Sequence, residues 1–247
     1  FLIIFEHLGT SNGSGNEEVE WANYTPPSPF PTQTAEQKGI MQWRKLTDQY
    51  ANLVKGNFGD ISGVSESTNR FIGYAESHDE ERVGYKAMVE AGQTQGNLAK
   101  VLQRLPAMGA IHILPPGPKM IWHFGELGWE KSLFSCNNGV VDFDTDGGGP
   151  DGDCKLDTKP QPQWSNNWLA DVNRSKIYND WSKMNELKTN NPVFSKDYSI
   201  NSGTTLEPKL YIYDNAAPIS SLKNVVVLTN FNVNSINVTP NFPYTGT

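Results

Sequence analysis

The chain changes character near residue 195, and that change limits its possible folds more than any other feature. Before it, strand-like and helix-like patterns alternate. After it, residues 210–213, 225–229 and 235–238 are short β-prone runs separated by turn residues, with no helical periodicity between them. Alternation followed by strands alone implies an α/β domain joined to an antiparallel β-sandwich domain, divided here as 1–195 and 196–247.

Within the first part, Phe-Leu-Ile-Ile-Phe at residues 1–5 is continuously apolar, as expected for a parallel strand buried on both faces. Residues 9–33 are rich in Gly, Asn, Ser and Pro, and Pro26, Pro27, Pro29 and Pro31 exclude regular structure there. From 34 to 54, Ile40, Trp43, Leu46, Tyr50 and Leu53 recur at helical spacing, with Gly56 just past the end. A short strand is expected at 71–75, a charged turn at 76–82, and a helix at 97–114 that Pro106 should kink or split. A strand at 120–124 follows Pro115-Pro116-Gly117-Pro118. A helix over 173–188 carries Ile177, Trp181, Met184 and Leu187, and Asn190-Asn191-Pro192 stops it.

Composition narrows the function classes. With 37% hydrophobic and 11% aromatic residues, the 247-residue chain can bury a substantial core. A net charge of −7 and the lack of any basic run argue against a nucleic-acid partner. The longest apolar run, residues 1–5, is far too short for a transmembrane segment. That run has the character of the inside of a buried strand, so the chain is expected to be a piece of a larger protein. Cys136 and Cys154 bracket a polar loop of 17 residues, a placement that favours a disulfide worth about 3 kcal/mol in the chain-entropy model. A disulfide points to an extracellular, cell-surface or periplasmic location.

Two stretches deliver acidic residues directly after strand-like runs. Glu6-His7 follows the first, and Phe71-Ile-Gly-Tyr-Ala-Glu-Ser-His78-Asp79-Glu-Glu-Arg82 contains the second. In parallel α/β barrels, polar residues at the carboxyl ends of strands form the active site. A glutamate there can act as a general acid, and a His-Asp pair can bind sugar hydroxyls. Between the cysteines, Asp142-Phe-Asp144-Thr-Asp146-Gly-Gly-Gly-Pro-Asp151-Gly-Asp153 spaces oxygen donors as a Ca²⁺ loop does, although Asp153 stands where a longer Glu is usual. His112 lies on an apolar helix face and reads as a core histidine. Trp129 and Trp164 are the tryptophans best placed on loops to stack against a sugar.

The string Ala-Glu-Ser-His-Asp-Glu-Glu-Arg resembles the fourth signature region of the α-amylase family, family 13 of the glycoside hydrolases. Ile4-Phe5-Glu6-His7 is similar to its third. Pro116-Gly-Pro-Lys-Met-Ile-Trp-His-Phe-Gly-Glu-Leu-Gly-Trp129 resembles the segment around the eighth barrel strand. Asn173-Arg through Asn191-Pro-Val-Phe194 resembles the last barrel helix and its exit, and the tail resembles the start of the C-terminal β domain in a secreted bacterial branch.

The resemblance implies the C-terminal half of a (β/α)8 TIM barrel followed by part of a β-sandwich. It implies cleavage of α-1,4-glucosidic bonds of starch-like glucans with retention. Glu6 would be the general acid/base, Asp79 the transition-state stabiliser and His78 a substrate-binding residue. Trp129 and Glu126 would line the cleft or brace the turn after the eighth strand, and Arg82 would fix its loop. The nucleophile lies one strand before the glutamate in this family, so these residues lack it. A half barrel leaves open edges, and the rest of the polypeptide would be needed to close it. The four prolines at 26–31 cannot occupy a central sixth strand, which is therefore lost, distorted or wrongly given by the sequence. The alternatives are a non-catalytic glucan-binding amylase-like protein and a transglycosylase.

Overall fold

A computed structural model describes residues 4–5, 41–65, 71–136, 140–142, 164–201, 204–238 and 240. Its first layer is a parallel sheet. Strand β1 (Ile4–Phe5) pairs with β2 (Met41–Lys45), which leads through Leu46 into helix α1 (Thr47–Lys55). After β3 (Gly59–Asp60) comes β4 (Phe71–Tyr74), which pairs with β2 in the register Trp43 to Ile72 and Lys45 to Tyr74. Helices α2 (Val83–Val89) and α3 (Leu98–Ile113) precede β5 (Lys119–Met120), the fourth strand, whose partner is β4. The spatial order follows the chain order, so the carboxyl ends of all four strands lie on one side of the sheet.

The strand–helix boundary at residue 46 corrects the single helix expected over 34–54. Ile40, Trp43 and Leu46 fall three apart, which suits a helix locally. The backbone of residues 41–45 instead hydrogen-bonds to strands on both sides, β1 and β4. A central strand therefore exists, placed after the proline-rich stretch, which itself lies outside the described residues. The helical part of the expectation holds from Thr47: Tyr50, Leu53 and Val54 are fully buried. Gly56 at φ 76° closes α1, with Asn57 N–H donating to Asn52 O and Gly56 N–H to Leu53 O.

Helix α3 is capped by Asn97, whose side chain accepts from Lys100 N–H, and it runs unbroken through Pro106. Its buried face of Val101, Leu102, Leu105, Met108 and Ile111 keeps the helix together on either side of the proline. It packs on α4 (Val172–Asn190), whose N-cap Asp171 accepts from the backbone of Asn173 and Arg174. Where the helices cross, a Cβ on Gly109 would lie 2.0 Å from Trp181 Nε1, and that nitrogen donates to Leu105 O. Ile177 and Trp181 of α4 are buried as expected, whereas Leu187 is exposed. The strand expected at 120–124 ends at Met120, because Trp122 and Phe124 belong to turns and Phe124 takes φ 61°.

Past residue 195 the chain forms a separate antiparallel sheet of β6 (Asp197–Asn201), β8 (Lys209–Tyr213) and β9 (Asn224–Leu228), in the order β6-β8-β9. Strand β7 (Thr204–Thr205) leaves this sheet to pair with β3. The antiparallel character and two of the three expected strands agree with the sequence pattern. The third strand is β6, and residues 235–238 form none. Leu210, Ile212 and Val227 pack with Val193, Phe194 and Leu114 in a second core. No helix among the described residues is long and apolar enough to cross a membrane.

Candidate functional site

The loop after β4 is built around an ion pair. Glu76 and Arg82 bracket His78 and Asp79, and Arg82 Nη1 donates to Glu76 Oε2 at 2.9 Å. Arg82 is fully buried and Glu76 nearly so. Glu76 Oε1 accepts from Val83 N–H at 2.9 Å, satisfying a free donor at the start of α2. Arg82 Nη1 also donates to His123 O at 2.9 Å, and its guanidinium lies 4.7 Å from the centre of the Trp129 ring. Gly125 lets the carboxylate fit, since a Cβ there would stand 2.9 Å from Glu76 Oε2.

The tip of the loop is held as well. Glu80 pairs with Lys45 Nζ, at the carboxyl end of β2, at 2.6 Å. Glu81 accepts from Leu133 N–H at 3.0 Å and from the Ser132 hydroxyl, and burial pushes its carboxyl up from the usual range. What remains facing solvent is the pair His78 and Asp79, with side chains 43% and 51% exposed and His78 Nε2 3.1 Å from Asp79 Oδ2. Trp43 and Trp122 flank the imidazole, their ring centres 5.6 and 6.2 Å away. In sequence Trp122 is hidden as a site residue, because its run reads as part of a strand.

Beyond Trp122 a cavity of about 660 Å³ opens between the turn after β5 and helix α4. Trp122, His123, Glu126, Trp181 and Asn185 line it. Burial raises the Glu126 carboxyl above its ordinary value, and nearby Glu76 adds to the effect. Burial and the Arg82 charge both lower His123.

Of the two roles expected for Trp129, lining the cleft and bracing the turn, its burial fits the second and not substrate binding. The residue is only 5% exposed, packed with Phe124 and Trp168 and faced by Arg82, so it braces the ion pair. Arg82 fixes its loop, as expected. His112 is a core residue: Nε2 lies 3.0 Å from Met120 O, and burial pushes its imidazole down to about 3.

Glu6 follows β1 directly in the sequence but lies outside the described residues, as do Asp144, Asp146, Asp151 and Asp153. Asp142 is described; its N–H donates to Phe134 O at 3.2 Å. Among the described residues no cluster of three or more His, Cys, Asp or Glu stands where it could hold a metal. Cys136 is disulfide-bonded; the sequence's other cysteine, Cys154, is outside the described residues.

No protein-family model matches the chain, and no curated protein matches it. Solved structures do. The α-amylase from H. orenii superposes on 93% of this chain with a TM-score of 0.53 at 13% identity, and 43% of that chain is covered. The structure of AmyP in complex with maltose superposes on 82% with a TM-score of 0.51 at 11% identity, covering 42% of that chain. A pullulanase from Klebsiella pneumoniae, in a maltotriose complex, aligns more loosely over 66% of this chain and 21% of its own, with a TM-score of 0.44 at 15% identity. The chain thus spans less than half the length of each, and what it shares with them is part of a fold.

Proposed function

We propose that this chain is part of a retaining glycoside hydrolase that cleaves α-1,4-glucosidic bonds of starch-like glucans. The observation that carries the reading is the clamped loop after β4. Its buried Glu76–Arg82 pair presents solvent-facing His78 and Asp79 between two tryptophans, on the carboxyl side of a parallel sheet. Shape and chemistry suit a sugar: apolar ring walls, one imidazole and one carboxylate. The partial likeness to an α-amylase and to a maltose-bound structure supports the same reading.

In this proposal Asp79 stabilises the positive charge that develops on the sugar ring, and His78 hydrogen-bonds a hydroxyl of the same sugar. Glu6 protonates the departing glycosidic oxygen and then takes a proton from the attacking water. The carboxylate nucleophile that retention requires is not assigned to any residue of this chain. Residues 1–195 belong to the catalytic part and 196–247 to a β-sandwich. The test is the time course of starch digestion by the intact protein. Reducing ends should appear, first as the α anomer in proton NMR, because two inversions restore the configuration. Starch bound with no reducing ends released would refute catalysis and favour a glucan-binding role.

The disulfide at Cys136 supports an extracellular, cell-surface or periplasmic location. The aspartates at 142, 144, 146, 151 and 153 offer only oxygen donors, which suits Ca²⁺. Adding EDTA should then lower the melting temperature by several degrees, and excess Ca²⁺ but not Mg²⁺ should restore it. An unchanged melt would remove the ion from the proposal.

A further inference from the structure

Trp164 is 79% exposed, yet it is not loose. Its ring meets Phe124 edge to face at 4.9 Å, and Phe124 is itself buried among Trp129 and Trp168. Phe124 holds φ 61°, uncommon for a bulky residue, and the surrounding rings keep it there. Trp168 is fixed in turn by the Arg174 guanidinium, 4.7 Å from its ring centre. The exposed indole therefore stands on a rigid aromatic base, and at that exposure at least one ring face is open to solvent.

Its surroundings identify the ligand class. The stretch from residue 164 to residue 170, Trp-Ser-Asn-Asn-Trp-Leu-Ala, contains no charged side chain. Ser165, Asn166 and Asn167, which follow Trp164 in sequence, are exposed. A flat apolar face in an uncharged, polar stretch matches a neutral sugar, which stacks its C–H face on the indole. Leu169 and Val172, a few residues on, are exposed as well, so a protein partner is an alternative occupant, and loss of starch retardation is what distinguishes the sugar. The same ring also ends a strip running Trp43, His78, Trp122, His123, Phe124, Trp164, with successive ring centres no more than 6.2 Å apart.

We infer that Trp164 is a sugar-stacking platform that holds a neutral oligosaccharide at a distance from His78 and Asp79, so that one extended glucan chain touches both. The choice of a glucan rests on the function proposed above; the stacking itself does not. A rigid ring loses little freedom on binding, so removing it should be felt in affinity rather than in the chemical step.

Electrophoresis of the intact protein through native gels containing soluble starch tests this by binding alone. The wild type should be retarded. Trp164→Ala should be retarded with an affinity weakened about tenfold, and Trp164→Phe should recover much of it. Melting temperatures measured on the same variants separate lost binding from misfolding. Equal retardation of Trp164→Ala and the wild type overturns the inference, as does an absence of retardation in the wild type. Retardation that depends on Trp164 in a protein that releases no reducing sugar would leave the platform standing and reject the hydrolase.

Discussion

Arg82→Ala is expected to lower the stability of the protein by about 3–5 kcal/mol, the range for removing one member of a buried ion pair. Arg82 is fully buried, and Nη1 alone serves both Glu76 Oε2 and His123 O. Truncation strands the Glu76 carboxylate in a site with little water and leaves the His123 carbonyl without this donor. It also uncovers the Trp129 ring. The stranded carboxylate dominates, because an unpaired buried charge costs far more than a missing packing contact. Partial compensation exists: Val83 N–H still donates to Glu76 Oε1.

The double variant Glu76→Gln with Arg82→Met should therefore be much closer to the wild type than Arg82→Ala alone. Denaturant midpoints at constant slope measure both. A loss below about 1 kcal/mol for Arg82→Ala would contradict the buried-pair account. The pair joins the two ends of the loop that carries His78 and Asp79, so destabilised protein that still folds should also lose affinity for glucan.

How much of this was legible beforehand depended on the range of the forces involved. Helix α4 and the end of α1 are local events: a periodic apolar face, an Asp N-cap and a glycine in the left-handed region, all within one or two turns. Strand β2 was not legible, since its hydrogen bonds come from residues near 4 and near 72. A spacing of three between Ile40, Trp43 and Leu46 imitates a helix when those partners are unseen. The choice between the two roles of Trp129 was not legible for a similar reason. Its residue type suits a sugar platform, and only the approach of Arg82, 47 positions earlier, shows that its face is already covered. Glu76 was visible as a charge, but nothing local says that it pairs six residues ahead and caps α2 as well. His78 and Asp79 were legible because charged residues directly after a strand run belong on the open end of a sheet.

Under the proposed function, Asp79→Asn and Glu6→Gln are both expected to abolish most starch hydrolysis, and they should differ in a way that tests their proposed roles. Asn preserves the shape at 79 and removes the charge, so the lost stabilisation falls on the transition state. The expected fall in kcat is about 10²–10³-fold, the usual result of deleting one preorganised electrostatic contact. It should apply equally to starch and to an activated nitrophenyl glucoside, because charge develops at the sugar in both reactions. Glu6→Gln would remove the proposed proton donor, at a cost of about 10²–10⁴-fold on starch. A nitrophenolate leaves without protonation, so this variant should form its glycosyl-enzyme from the activated substrate nearly as well as the wild type. A burst of nitrophenolate followed by slow turnover is the expected trace, because water must then attack without its base. The contacts at the tip of the loop, Glu80 with Lys45 and Glu81 with Leu133, do not involve the Asp79 carboxylate, so Asp79→Asn should melt close to the wild type. Full activity in Asp79→Asn would remove it from the reaction, and a uniform loss on both substrates in Glu6→Gln would deny Glu6 the role of acid.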